Sequence, residues 1–184
     1  MTENSYEYII RQKSEGAVLA KKICAIGGYA LFAILLSTLS LIFPPPYVRF
    51  PLMLLSLALT ALIIFVTWRF LCVEYEVMIE GGDITITAIY GKGFRKPLLS
   101  MSINSFSEVG EYDDKAYEEI SKLSLQKNYI CLSSLSAPDV YYAIFEEEKD
   151  QCILYFDAPK RAIELLKKHN SGAFRANAKR MNAK

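Results

Sequence analysis

Two kinds of hydrophobic patterning divide the chain. From Ile23 to Phe43 no Asp, Glu, Lys, Arg or His interrupts the apolar residues. As a helix, 21 such positions span roughly 31 Å, close to the hydrocarbon thickness of a bilayer. A second uncharged run extends from Phe50 to Trp68 and ends on Trp68 and Arg69, a ring and a cation suited to the membrane interface. Both runs predict spanning helices. Pro44, Pro45 and Pro46 lack the amide donors a continuing helix needs, so the chain turns there and the helices form an antiparallel hairpin.

The pattern changes at Val73. Val73, Tyr75, Val77 and Ile79 alternate with Glu74, Glu76, Met78 and Glu80, the period of a strand with one buried face. Gly81, Gly82 and Asp83 supply a tight turn, and alternation resumes from Ile84 to Tyr90. Further strands are predicted at Leu98–Ile103, Phe106–Tyr112, Asn128–Ser133, Val140–Phe145 and Cys152–Phe156, the last two flanking a charged turn at Glu146–Asp150. The segment from Asp113 to Leu123 reads as a mobile loop holding a short helix. A final amphipathic helix is predicted after Asp157 as N-cap, with Pro159 in its first turn, Ile163 and Leu166 on one side, and Gly172 as its stop.

These elements divide the chain into an N-terminal segment (1–22), a transmembrane hairpin (23–69, with helices 23–43 and 50–68), a β domain (70–170) and a basic tail (171–184) expected to be disordered. Arg11, Lys13, Lys21 and Lys22 precede the first helix, whereas the hairpin turn holds only Arg49. Cations favour the cytosolic side, so a cell-membrane protein with two spans and with its N-terminus and C-terminal domain in the cytosol is expected. A cleaved signal peptide is disfavoured, because the first run is longer than a typical h-region and leads into prolines. Within the spans, Ser37, Thr38, Ser40, Ser56, Thr60 and Thr67 are polar but uncharged, which argues against a proton or ion path. The spacing of Ala33 with Ser37 and of Ser56 with Thr60 favours close helix approach.

Composition adds little beyond this. The net charge of +1 gives no reason to expect nucleic acid as a partner. Charge is nevertheless segregated: Glu108–Asp150 holds eleven acids and four bases, Lys160–Lys184 eight bases and one acid. Opposite ends of this kind can pair with each other or with a partner. Cys24, Cys72, Cys131 and Cys152 have no C-x-x-C spacing and read as buried small hydrophobes, and His169 reads as a surface residue without metal-ligating neighbours.

Gly81-Gly82-Asp83 is a turn and not a cyclase signature, and Gly91-Lys92-Gly93 lacks the spacing of a phosphate loop. The paired carboxylates Asp113/Asp114 and Glu118/Glu119 are explained by solvation. No serine elbow or Cys–His pair is evident, so no catalytic residue, cofactor or metal is assigned and no enzyme is expected.

About seven strands closed by one C-terminal helix, set directly after two apolar helices, resemble small bacterial membrane proteins with pleckstrin-homology-like (PH-like) domains. The likeness covers about residues 70 to 170 and rests on element order. It implies an α+β membrane protein whose two-helix hairpin leads into a PH-like antiparallel β barrel or sandwich. It also implies binding of lipid, peptide or protein instead of catalysis. The first hairpin here is Glu-rich, unlike the basic hairpin of lipid-binding members, which argues against phosphoinositide-type recognition.

The candidate surfaces are therefore few. Lys92, Arg95 and Lys96 form a positive loop suited to anionic lipid headgroups, and Trp68 and Arg69 are candidate membrane-interface anchors. The expected role is a membrane-anchored binding or scaffold protein, whose partners are the bilayer and either anionic headgroups or a membrane or cytosolic protein. The alternative is an accessory subunit of a larger transport or envelope-assembly complex that acts through its helices.

Overall fold

The computed structural model describes residues 5–42, 45–91, 93–134, 137 and 139–174. The chain forms two compact units: a helical one (Lys13–Val73 with Tyr90–Phe94) and a β-rich one (Met1–Gln12, Glu74–Ile89 and Arg95–Lys184).

In the helical unit, α1 (Gly16–Leu41) and α2 (Pro46–Leu71) pack together, and both are long and apolar enough to cross a membrane. α1 starts ahead of its uncharged run, and α2 extends beyond its own at both ends. α2 starts within the proline triplet, because Pro46 stands at a first-turn position whose amide would be unpaired in any helix. Of the expected turn residues, Phe43 and Pro44 lie outside the described residues. Ser40, Ser56 and Thr60 are buried, and each hydroxyl donates to a carbonyl of its own helix: Ser37, Met53 and Ser56 respectively. Tyr29 and Thr67 join the two helices through their hydroxyls. Large apolar side chains such as Leu31, Leu54 and Phe65 face outward, 64%, 69% and 79% exposed, as they would toward acyl chains.

The β-rich unit contains two four-stranded sheets. The first runs in the order β1 (Ser5–Arg11), β2 (Val73–Glu80), β3 (Asp83–Tyr90), β4 (Phe94–Ser102). Gly81 and Gly82 have φ of 62° and 95° at the β2–β3 turn, the left-handed geometry that a two-residue hairpin demands. β4 starts ahead of the expected Leu98 and carries Pro97, which an edge strand tolerates.

β1 corrects the sequence reading. The N-terminal segment was expected to stand apart, yet it pairs antiparallel with β2 from Ser5↔Glu80 to Arg11↔Glu74. Strands separated by the whole helical hairpin thus share one sheet, and an ion pair between Arg11 Nε and Glu74 Oε1 (3.2 Å) closes the ladder.

The second sheet has the order β5 (Phe106–Glu111), β7 (Val140–Glu147), β8 (Asp150–Asp157), β6 (Lys127–Cys131). It is not wholly antiparallel, since β6 runs parallel to β8. The reason is α3 (Asp114–Ile120), which carries the chain from β5 at one edge to β6 at the other; a parallel arrangement needs such a crossover. α3 is the helix expected within 113–123, and it is packed. Asp113 Oδ1 accepts from the Ala116 amide at 2.7 Å, and Ala116 and Ile120 bury against Tyr142, Ile144 and Ile153.

The main core draws Val77, Ile79, Ile84 and Ile86 from the first sheet, Val109, Phe145, Leu154 and Phe156 from the second, and Ile163 and Leu166 from α4 (Lys160–His169). Asp157 does not cap α4, whose N-cap is Pro159; its Oδ2 instead accepts from the Ser133 amide at 2.8 Å. Gly172 does not stop α4 either. α4 ends at Asn170, whose side chain bonds the carbonyls of Ile103 and Phe106, and a further helical turn follows at 171–174. The tail expected to be disordered, 171–184, therefore begins with an ordered turn, and its remainder, Arg175 to Lys184, lies outside the described residues.

Candidate ligand-binding site

Among the described residues β1 has a strand neighbour on one side only, so its outer edge presents backbone N–H and C=O groups. Beside that edge lies a cavity of about 310 Å³. Tyr8, Ile9, Ile10 and Arg11 of β1 line it, together with Ser133 and Asp139 from the β6–β7 connection and Asp157, Ala158 and Pro159 from the β8–α4 junction. The alternating directions of β1 explain the lining: Ile10 turns into the core at 4% exposure while Ile9 is 48% exposed.

Two polar atoms at this site are buried without a hydrogen-bond partner among the described residues: the Tyr8 hydroxyl and Asp157 Oδ1. Such a group costs about 1–3 kcal/mol when it is left unsatisfied. Burial, and after it the Asp157 carboxylate, push the Tyr8 pKa up, so the phenol keeps its proton and remains a donor. The pair offers one donor and one acceptor, which complement the C=O and N–H of an amide. β1 beside it offers the ladder hydrogen bonds an added extended segment would take.

Elsewhere three acidic side chains of the second sheet accept hydrogen bonds from tyrosines. Tyr142 donates to Glu108 at 2.6 Å, Tyr141 to Glu111 at 3.0 Å and Tyr129 to Glu147 at 2.8 Å. The Tyr129 hydrogen bond, then that from Lys127, hold the Glu147 carboxyl below its usual range. Among the described residues no group of three or more His, Cys, Asp or Glu side chains could hold a metal ion. Cys131 and Cys152 are buried, Cys72 is half-buried, and Cys24 is exposed on α1, contrary to the expectation that all four lie inside. Burial pushes the Cys131 thiol up to about 12, far from the range of a reactive thiolate. His169 was read as a surface residue but is half-buried, with Nε2 enclosed.

Of the positive loop, Lys92 lies outside the described residues. Arg95 and Lys96 are exposed neighbours on β4, whose successive side chains project to opposite faces, and Arg95 Nη1 is paired with Glu76 Oε2 at 3.1 Å. Trp68 is 39% exposed near the end of α2, and the Arg69 guanidinium lies 5.7 Å from the Phe70 ring centroid.

Sequence reasoning missed Tyr8 and the β1 edge. The signal was present in Tyr6, Tyr8, Ile9 and Ile10, aromatic and β-branched residues within Ser5–Arg11, but so short a run has meaning only once β2 is there to pair with it. No curated protein and no solved structure matches the chain. Residues 2–175 match the family model described as Bacterial PH-like domain (DUF6106), a span that takes in β1, both apolar helices and the two sheets, and the chain belongs to that family.

Proposed function

We propose that this chain is a non-enzymatic, membrane-anchored binding protein that presents its PH-like unit at the cytosolic face, where the cavity beside β1 receives an extended segment of a partner protein. The observation that carries this reading is the unsatisfied Tyr8 hydroxyl and Asp157 Oδ1 set beside an open strand edge. The pairing of β1 with β2 supports the topology. Hydrogen-bonded strands lie on one side of a bilayer, so the segments before α1 and after α2 share a compartment if both helices span. The cations of both flanks then count together, and Arg11, Lys13, Lys21, Lys22 and Arg69 outweigh Arg49 in favour of the cytosol.

The test is site-specific photo-crosslinking of the full chain in its native membrane, with the crosslinker at position 9 on the cavity wall or at position 130 on β6. A protein adduct formed from position 9, and weakened by Tyr8→Phe and by Asp157→Asn, is expected. A partner recovered in stoichiometric amount whatever the cavity variant would favour the other role, an accessory subunit acting through its helices. An alkaline phosphatase fused after Lys184 should be inactive; an active fusion would place the PH-like unit outside the cell.

A further inference from the structure

The turn between β3 and β4, together with the strand ends Tyr90 and Phe94, groups with Lys13–Val73 in the helical unit. Two contacts hold it to the end of α2. The Gly91 amide donates to the Cys72 carbonyl at 3.1 Å. Gly91 itself, at φ +60°, lies so close to α2 that a Cβ there would stand 3.0 Å from Arg69 Cβ. Only glycine satisfies both the left-handed backbone and this approach.

The clamp aligns three rings. Phe70 of α2 lies 5.9 Å from Tyr90, and Tyr90 lies 6.0 Å from Phe94. The series is open to its surroundings, with Phe70 52% and Phe94 49% exposed, and Trp68, two residues earlier on α2, is 39% exposed. The Arg69 guanidinium sits over the Phe70 ring. In water, so much exposed aromatic surface on one short stretch is unfavourable. Rings with a cation at the end of an apolar helix instead match the boundary between acyl chains and headgroups.

We propose that Phe70, Tyr90 and Phe94 form a membrane-interface wedge, seated in the lipid headgroup–acyl boundary of the bilayer that α2 crosses. This rests on the reading of α2 as a spanning helix. The wedge would hold the turn at the membrane in addition to the two chain links, β1 to α1 and α2 to β2. The occupant is lipid because the ring series is continuous with the terminal turn of α2.

Trp68 is the sole tryptophan, so the idea can be tested by fluorescence. The native chain and the double variant Trp68→Phe/Phe94→Trp would be reconstituted in phosphatidylcholine–phosphatidylglycerol vesicles, with part of the phosphatidylcholine brominated at shallow or deep acyl carbons. The wedge predicts that tryptophan at position 94 is quenched at least half as strongly as Trp68, more by shallow than by deep bromines, and is shielded from aqueous acrylamide several-fold relative to free tryptophan. Adding Gly91→Val to the double variant, which forces the turn away from Arg69, should lower the bromolipid quenching at position 94 while the chain stays folded, as judged by unchanged far-UV circular dichroism. If Trp68 is quenched but position 94 is quenched only by acrylamide, the turn is aqueous and the wedge is wrong while the spanning helix stands. If Trp68 is not quenched by bromolipid either, the spanning reading falls and the wedge with it.

Discussion

The two sheets solve the same burial problem differently. In the first sheet one face is packed and the other wet: Val77, Ile79, Ile84 and Ile86 are fully buried, while Met78 and Glu80 are exposed and Thr85 and Thr87 partly so. In the second sheet both faces are covered. Ala143, Phe145, Leu154 and Phe156 point to the core between the sheets, and Tyr142, Ile144 and Ile153 point to α3. A sheet with one wet face writes a clean alternation into its sequence. A sheet covered on both faces writes near-continuous apolar runs, whose neighbours and direction only the fold reveals.

That contrast can be broken by mutation. The largest effect is expected where the sheets meet: Phe145, 1% exposed and 6.0 Å from the Phe106 ring, should cost about 3–5 kcal/mol when replaced by alanine. Denaturant unfolding of the full chain in detergent, followed by tyrosine fluorescence, would measure it. On the outer faces the sheets should diverge. Ile153→Ala under α3 should cost about 2–5 kcal/mol, whereas Thr85→Ala on the wet face should stay within about 0.5 kcal/mol. Similar losses at both positions would show that the second sheet is no more covered than the first.

Smaller effects sharpen the comparison. Asp113→Ala removes the cap that holds α3 over the second sheet and should cost about 1 kcal/mol in the same unfolding experiment. The two hairpin turns should respond oppositely. At the β7–β8 turn, Glu148 and Lys149 hold φ of 53° and 78° without being glycine, so Lys149→Gly should raise stability by up to about 1 kcal/mol. Gly82→Ala at the β2–β3 turn should lower it, because φ is 95° and the new Cβ would stand 3.3 Å from His169 Nδ1.

The smallest effect at neutral pH becomes visible only in alkali. Burial raises Tyr155, Tyr141 and Cys131 of the second sheet to about 12, and in the first sheet raises Tyr8 as well. The folded chain therefore keeps protons that the unfolded chain releases from about pH 9–10. Stability should be intact below that range and fall as pH rises toward 12, because the native state binds more protons than the unfolded one. Tyr155→Phe should leave the neutral midpoint nearly unchanged and shallow the alkaline decline. An equal decline in the variant would remove Tyr155 from its causes.

The sequence exposed those features whose physics is local. Uninterrupted apolar runs marked both helices, Gly81-Gly82 marked the first turn, and strict alternation marked β2 and β3, since periodicity and turn chemistry need no distant partner. The spacing of Ala33 with Ser37 and of Ser56 with Thr60 points to close helix approach, and the structure places these four residues on half-buried or buried positions. β1 was not legible, because seven residues next to an apolar helix become a strand only when Val73–Glu80 returns to pair with them. Nor was α3 as a packed crossover, since its two buried residues, Ala116 and Ile120, find their surface on β7 and β8.

By itself, then, the sequence determined the division into apolar hairpin and β-rich half, the first β-hairpin and the closing helix, because each rests on contacts or periodicities within a few residues. The tertiary structure decided that the N-terminus completes the first sheet, that β6 runs parallel to β8, and that Asp157 turns from an expected cap into a wall of the cavity beside Tyr8. Those outcomes depend on which distant backbone and polar groups are left unpaired once the local elements have formed, and unpaired groups find partners in three dimensions, not along the chain.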